Sequence, residues 1–243
     1  GEAYSVAEYS PAQLALGGDP TPITTITSAA IVEPGGMAFD KSGNLWLSDF
    51  SLNTVTEFTA AQLTMGANQT PTVTISSGAI EAPLGIAFDA NGTLWVSKTD
   101  VVLGNSVLGF MSSQLATSGT PTPITIAVGL SYGDAINGIA FDAGGNMWVN
   151  APFSVVEYTP SQLTATGSPT PSRTVSVLVP GSNFISSMAG MAFDNSGNLW
   201  LGAFSSGLLF ELSPAQLTIG GTQAPQVVIR GGWSSVALAF DPS

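Results

Sequence analysis

One short motif recurs along the chain and constrains the fold more than any other feature. It reads GMAFDKSGNLWLSD from Gly36, GIAFDANGTLWVSK from Gly85, GIAFDAGGNMWVN from Gly138 and GMAFDNSGNLWLG from Gly190, and a fifth copy, ALAFDPS from Ala237, stops with the sequence. Successive copies are about 50 residues apart, and a second marker, Gln-Leu, has the same period. Repeats of this length are typical of solenoids and propellers.

The content of one repeat decides between these two architectures. Four strand-like runs separated by turn residues fill the first full unit, at residues 37–39, 45–48, 54–58 and 72–75, and no helical stripe of useful length interrupts them. A unit of four short strands is the blade of a β-propeller. The sequence therefore predicts an all-β fold, a single propeller domain over residues 1–243. The expected blades are 36–84, 85–137, 138–189 and 190–236, with a shared blade formed by 237–243 plus 1–35.

Residue types within the repeat predict where each part lies. Glycine before the first strand suits a crowded position at the propeller axis. The Asp after the first strand and the Gly that follows it favour an Asx-type hairpin turn. Ser or Thr before Pro predicts a single capped helical turn after the third strand, and the Thr-rich fourth strand suits the outer rim. The tryptophans between two aliphatic residues are expected to pack between blades, and they are Trp46, Trp95, Trp148 and Trp200.

The terminal blade lacks one strand. The chain begins in a third strand near Val6 and finishes on a first strand near Ala239, with no copy of the second strand between them. Three interpretations stay open. The sequence is an excerpt of a six- or seven-bladed propeller, or five blades close with a thin shared blade, or another segment fills the empty position, for example one from a neighbouring copy.

The run of Gly, apolar residue, Ala-Phe-Asp and then Gly-Asn-Leu-Trp resembles the blades of NHL-repeat proteins and of the SMP-30, gluconolactonase and streptogramin-lyase propellers. The resemblance covers nearly the whole chain and implies a β-propeller. It does not imply one activity, because that superfamily includes hydrolases, lyases and binding modules. SMP-30-like enzymes place a metal-binding Glu beside a Gly-Pro, a spacing that Glu33 and Glu81 do not reproduce, and streptogramin-lyase-like activity relies on His.

Composition excludes several kinds of chemistry. The chain contains no His and no Cys, which removes Ser-His-Asp hydrolysis, thiolate chemistry and imidazole-ligated zinc. Its net charge of −12, with only 4 basic residues, disfavours nucleic acids and anionic lipids as partners. Only 8% of the residues are charged, and no apolar run reaches the roughly 18 residues of a membrane helix. These features favour a secreted protein that works outside the cell or at the cell surface, without insertion into a membrane.

Two sets of loop residues are candidate sites. Propeller ligands usually bind at the axial mouth, where oxygen ligands from loop acids are able to hold Ca²⁺ or Mg²⁺; solvated loop acids are the alternative interpretation. The candidate metal ligands are Glu33, Glu81 and Asp134. Insertions in the second and third units predict ligand contacts, because loop length on a rigid scaffold usually carries specificity. The candidate contacts are Tyr132, Asp134, Asn137, Asp100 and Asn105.

Repeated acids receive a structural interpretation. Four of the five third strands carry a Glu at the same position. A residue that recurs from blade to blade is more often part of the fold than of a binding or catalytic site. The sequence therefore predicts a non-enzymatic propeller that acts as a binding or structural scaffold for a protein, a glycan or other copies of itself through low-charge edge strands. The alternative is a divalent-metal-dependent, lactonase-like hydrolase with its site at the axial mouth.

Overall fold

The computed structural model describes residues 4–10, 12–13, 20–99, 104–128, 136–151, 153–178, 188–203, 207–230 and 238. Nineteen strands lie in these ranges, and none of the helices there is long and apolar enough to span a membrane. The terminal sheet consists of β1 (Ser5–Glu8) and β2 (Thr24–Thr27). Blade 1 consists of β3 (Pro34–Phe39), β4 (Leu45–Asp49), β5 (Thr54–Phe58) and β6 (Val73–Ile75).

The other three blades follow the same plan. Blade 2 contains β7 (Pro83–Phe88), β8 (Leu94–Lys98), β9 (Ser106–Phe110) and β10 (Ile124–Ala127). Blade 3 contains β11 (Ile139–Phe141), β12 (Met147–Ala151), β13 (Ser154–Tyr158) and β14 (Arg173–Val177). Blade 4 contains β15 (Met188–Phe193), β16 (Leu199–Ala203), β17 (Leu208–Leu212) and β19 (Val227–Arg230), while β18 (Gly221–Gln223) pairs in parallel with β14 of blade 3.

Each blade is an antiparallel meander in chain order, which confirms the propeller prediction. In blade 1 one row of paired residues crosses the whole sheet, from Ala38 to Trp46, Glu57 and Val73. The first strand begins earlier than the sequence predicts, at Pro34, because a register shift between Pro34 and Met37 carries two glycines as a bulge. Blades 2 and 4 have the same irregularity in their first strands.

The repeated tryptophans pack between blades, as predicted. Trp46 meets Phe88 of the next blade edge-to-face, with ring centroids 6.0 Å apart, and Trp148 meets Phe193 in the same way at 6.3 Å. Each indole N–H also donates to the turn aspartate six residues before it, for example from Trp46 Nε1 to Asp40 at 3.2 Å. The sequence analysis did not predict this bond, although the constant spacing between Asp and Trp in the repeats indicated it.

A helical turn follows the third strand in each of the four blades, as predicted, although the Ser/Thr-Pro pattern behind the prediction is present only in blades 3 and 4. The turns are the helices Ala60–Met65 and Pro214–Ile219 and the 3-10 helices Ser112–Gln114 and Pro160–Leu163. The Gln of the Gln-Leu marker clamps each turn, since Gln62 Oε1 accepts from the Thr59 amide at 2.8 Å and its Nε2 donates to the Thr70 carbonyl at 2.6 Å. The repeat of this residue therefore has a structural cause.

The fourth strands lie on the outer rim, and the outer edges of β2, β6, β10 and β14 are covered, whereas β19 ends its sheet without a partner among the described residues. The carbonyls of Thr25 and Thr27 in β2 accept from the amides of Ala67 and Gln69 of blade 1. At β6, the Gly119 amide of blade 2 donates to the Thr74 carbonyl, and the Gly119 carbonyl accepts from the Ser76 amide. β10 is bridged in the same way by Gly167, and β14 pairs with β18. Edge strands that are already paired do not offer a template to another copy, so these four rims do not support the self-association that the sequence had suggested.

Candidate functional site

The first strands of the four blades surround an axial channel of about 550 Å³. Apolar side chains and glycine backbone make up most of its wall, with one carboxylate and one side-chain amide among the described lining residues. The lining residues are Glu33, Pro34, Gly35, Gly36, Met37, Leu84, Gly85, Ile86, Asn137, Gly138, Ile139, Ala189, Gly190, Met191 and Leu238.

Glycine is required at the channel wall because the first strands approach one another there. A Cβ on Gly36 would lie 2.5 Å from the Leu84 carbonyl oxygen of blade 2, and one on Gly85 would lie 2.6 Å from the Asn137 carbonyl oxygen of blade 3. The same contact recurs between Gly138 and the Ala189 carbonyl oxygen at 2.7 Å. The predicted crowding of glycines at the axis is confirmed, and its cause is the backbone of the next blade.

Polar side chains of the second strands link neighbouring blades behind this wall. Ser48 Oγ accepts from the Gly36 amide at 2.7 Å and donates to the Leu84 carbonyl at 2.6 Å. Asn150 plays the same part in blade 3, since its Oδ1 accepts from the Gly138 amide at 2.7 Å and its Nδ2 donates to the Met188 carbonyl at 2.7 Å. The sequence analysis did not predict that these residues link the blades, although three repeats carry a polar residue two positions after Trp.

Two of the residues predicted for the axial mouth line the channel, namely Glu33 and Asn137. Glu33 is exposed and its carboxylate accepts a hydrogen bond from Ser51 Oγ. Asn137 is half-buried and its Nδ2 donates to the Met188 carbonyl at 3.0 Å, so the amide also ties blade 3 to blade 4.

The other predicted site residues lie elsewhere or outside the described residues. The Glu81 carboxylate lies 3.3 Å from the Lys98 ammonium, in an ion pair at the surface. Asn105 is 5% exposed and its carbonyl accepts from the Val128 amide at 3.0 Å, which places it in the body of blade 2. Tyr132, Asp134 and Asp100 fall outside the described residues.

The metal hypothesis rests on acids that the described structure does not bring together. Within the described ranges no three acidic side chains are arranged to hold a metal ion. Of the three predicted ligands, Glu33 lines the channel, Glu81 pairs with Lys98 and Asp134 is not described. One carboxylate and one amide offer at most three side-chain oxygen ligands, fewer than the six to eight that Ca²⁺ usually takes from protein and water together. The metal site therefore stays a prediction.

Most other described acids serve the fold. Asp49 is fully buried, and its carboxylate accepts from the amides of Val32 at 2.7 Å, Glu33 at 2.9 Å and Leu52 at 2.9 Å. Glu157 is 2% exposed and accepts from Arg173 Nη1 at 2.9 Å. A carboxylate that is bound in this way by amides or by a guanidinium is not available as a general base.

Two neighbouring carboxyls have opposite pKa shifts. Burial raises the pKa of Asp40, but the hydrogen bonds it accepts from Asn44, Trp46 and Ser42 outweigh burial, so its pKa lies below the ordinary value. Burial, followed by the negative charge of Asp40, raises the pKa of Glu57, although a hydrogen bond from Asn44 opposes the shift. Both groups lie in a groove between blades 1 and 2 and away from the axial channel.

No protein-family model matches the sequence, and comparison with curated proteins gives no significant match. Solved structures do match. A catalytically inactive virginiamycin B lyase from Staphylococcus aureus with quinupristin aligns at 13% identity and a TM-score of 0.55, over 84% of this chain and 58% of that chain. A streptogramin B lyase structure aligns over 76% of this chain and 53% of that chain, so the present chain spans little more than half the length of these lyases.

Two further matches have higher TM-scores. A putative gluconolactonase aligns at 16% identity and a TM-score of 0.61, over 86% of this chain and 67% of that chain. A nidogen/laminin complex aligns at 14% identity and a TM-score of 0.64, over 91% of this chain and 72% of that chain. The matches come from the group of propellers that the repeat motif resembles. At these identities the likeness extends to the fold and not to an activity.

Proposed function

We propose that this propeller is a non-enzymatic scaffold that binds a protein partner at the mouth of its axial channel. The observation that supports the proposal is the composition of the channel wall, which is glycine backbone and apolar side chains with Glu33 as its one described carboxylate. Such a wall offers apolar area and a few polar groups to a ligand, as binding pockets do. Among the described residues that line the channel, no acid or base other than Glu33 is available for proton transfer.

A protein partner fits the described surface better than a glycan. Glycan sites use exposed aromatic platforms, but no aromatic side chain is among the described residues that line the channel. Trp46, Trp95 and Trp148 are at most 2% exposed and serve packing between blades. The net charge of −12 disfavours a strongly acidic partner. The nidogen/laminin neighbour is a propeller structure solved in a protein complex, which agrees with this class of function. We further propose that the protein acts outside the cell, in keeping with its low charge and lack of cysteine.

The first test asks whether the protein hydrolyses a lactone. Hydrolysis of D-glucono-1,5-lactone is followed by pH-stat with Ca²⁺, Mg²⁺ or Mn²⁺, using the wild-type chain and Glu33→Gln. We expect no rate above spontaneous hydrolysis for either protein. A metal-dependent rate that falls in Glu33→Gln would refute the scaffold proposal in favour of the lactonase-like alternative.

The second test measures binding directly. Peptides are selected from a random library displayed on phage, with the folded chain as target. Leu84→Asp, which places a charge on the channel wall, is expected to weaken the selected peptides at least tenfold, whereas the exposed rim substitution Ile219→Asp leaves binding unchanged. Both variants are first checked for an unchanged circular dichroism spectrum. Peptides that bind Leu84→Asp as well as the wild type would refute binding at the channel.

A further inference from the structure

A groove of about 440 Å³ lies between blades 1 and 2, and it shares no described lining residue with the axial channel. Its walls come from the ends of β3 and β7 with the turns that follow them, from β4 and β5, and from the 3-10 helix of blade 2. Ser42, Asn91 and Ser112 are exposed at its border, so the groove opens to solvent. It is called here the blade 1–2 groove.

Glu57 of β5 faces this groove. It is paired across the sheet with Trp46, so both side chains lie on one face, and the Trp46 ring meets Phe88 of blade 2. Glu57 is 8% exposed, so more than nine-tenths of it is buried. Its Oε1 accepts from Asn44 Nδ2 at 2.9 Å, whereas none of the described residues donates a hydrogen bond to Oε2. One oxygen of a buried carboxylate is therefore open to a ligand.

Blade 3 shows which group completes a glutamate at this position. Glu157 occupies the same place in β13, and Arg173 of β14 is paired with it across the sheet. Arg173 Nη1 donates to Oε1 of Glu157 at 2.9 Å and to its Oε2 at 3.1 Å. Ser172 Oγ adds a third bond, to Oε2 at 2.8 Å. The repeat thus binds a guanidinium group at this carboxylate.

Blade 1 lacks both of these donors. The buried Val73 takes the place of the arginine opposite Glu57. Thr72 takes the place of the serine, but its hydroxyl donates to Gln62 Oε1 at 3.0 Å. Burial, followed by the charge of Asp40, raises the pKa of Glu57, in keeping with a carboxyl that no described cation neutralises. The groove therefore presents the acceptor of an ion pair without its donor.

The rest of the groove favours a planar cation. Asp40 and Asp89 add two carboxylates, and the one basic residue among the described lining residues, Lys41, donates to the Ala90 carbonyl at 2.5 Å. The half-buried ring of Phe88 adds an aromatic surface on the side of blade 2. A guanidinium donates hydrogen bonds from its edge, stacks on aromatic faces and is more weakly hydrated than an ammonium.

A metal ion fits the groove less well. Both oxygens of Asp40 and of Asp89 already accept from turn amides and from an indole N–H. Glu57 Oε2 is then the one carboxylate oxygen of these three groups without a donor among the described residues. A single free oxygen does not build the coordination shell of a hard divalent cation.

We propose that the blade 1–2 groove binds the guanidinium group of an arginine side chain from a polypeptide partner, with Glu57 Oε2 as its acceptor. The guanidinium donates to Glu57 as Arg173 does to Glu157, and its face packs on Phe88. A polypeptide is a better source than free arginine, because the α-carboxylate of the free amino acid would be repelled by the acids of the groove.

The proposal is tested by NMR titration of the ¹⁵N-labelled chain with acetyl-Gly-Arg-Gly-amide. The indole N–H signal of Trp46, which is assigned with Trp46→Phe, reports on the groove because Trp46 Nε1 donates to Asp40 there. We expect a saturable shift with a Kd of about 1 mM or lower and no shift of the Trp148 indole in blade 3. The peptide with citrulline in place of arginine has nearly the same shape without the charge and should bind at least tenfold more weakly.

Glu57→Gln should weaken binding of the arginine peptide at least tenfold. The variant keeps an oxygen that accepts from Asn44, so its fold is preserved. Glu8→Gln is the matched control, because it removes the same charge at the same repeat position but in the terminal sheet, outside the groove. It should bind like the wild type, and thermal melting of both variants verifies that they are folded.

The proposal fails if no shift is seen up to about 10 mM peptide, if the citrulline peptide binds equally well, or if Glu57→Gln binds like the wild type. Equal binding of acetyl-Gly-Lys-Gly-amide would overturn the preference for a guanidinium. Tighter binding of free L-arginine or of methylguanidine than of the peptide would overturn the assignment to a polypeptide. None of these outcomes depends on binding at the axial channel, because Glu57 lies outside it.

Discussion

Replacement of Gly85 by alanine tests whether close contact between first strands holds the propeller together. The added methyl group would lie 2.6 Å from the Asn137 carbonyl oxygen, 3.0 Å from the carbonyl carbon and 3.1 Å from the Gly138 Cα. All three are backbone atoms, so no side chain is able to rotate out of the way. The Gly85 amide is also held by Ser97 Oγ at 2.8 Å. Blades 2 and 3 must therefore move apart to accept the methyl group.

The size of the effect follows from this geometry. Relief to an ordinary contact near 3.5 Å requires a shift of about 0.9 Å between the two blades. Overpacking of a well-packed core costs about 1–3 kcal/mol, and we expect the upper end because rigid backbone makes the contact. A loss of about 3 kcal/mol corresponds to a fall in Tm of roughly 6–12 °C for a domain of this size.

The assay is thermal and urea unfolding of Gly85→Ala followed by far-UV circular dichroism. Gly119→Ala is the matched control, because a Cβ at Gly119 would meet no heavy atom within 4 Å. Its free energy of unfolding should stay within about 0.5 kcal/mol of the wild type. Equal unfolding of Gly85→Ala and the control would refute the conclusion that the first strands are packed too closely for a side chain.

Three further substitutions test the packing and the polar network. Asp49→Asn replaces one of two acceptor oxygens with an NH2 donor, which then faces the amides of Val32 and Glu33 or the amide of Leu52, and should cost about 1–3 kcal/mol in urea unfolding; an unchanged midpoint would contradict the bonding described for Asp49. Trp148→Ala removes the ring beside Phe193 and should cost about 3–5 kcal/mol, whereas a smaller loss would mean that the blades close over the cavity. The raised pKa of Glu57 means that folding favours its protonated form, so this stabilisation is present below the unfolded-state pKa and is lost as pH rises through the folded value. Glu57→Gln should therefore raise Tm at pH 7, and its advantage over the wild type should shrink as pH falls through the folded-state pKa and be largely gone below the ordinary value of 4.5; a constant difference across pH would refute this sign.

The repeated sequence motif was enough to predict the four-stranded structure of each blade. Hydrophobic alternation, turn residues and caps are local properties, and a local pattern repeated at one period specifies the same supersecondary unit each time. Asp40, for example, closes its turn with bonds to the amides of Ser42 and Asn44, all within five residues, so the turn was predictable without knowledge of the fold. The placement of Trp46 between blades was predictable for a related reason, since a strand buried on both faces needs a neighbour on each side.

Only the tertiary structure decided what the polar residues near the axis do. The sequence predicts Glu81 as a metal ligand, and the structure adds that its carboxylate lies beside Lys98, a partner fixed by the pairing of β7 with β8. Ser48 and Asn150 looked ordinary, yet they link blades because the carbonyls of the next first strand lie opposite them. Such contacts join residues that are far apart in the chain, and their geometry is set by how the blades pack around the axis, which no local pattern records.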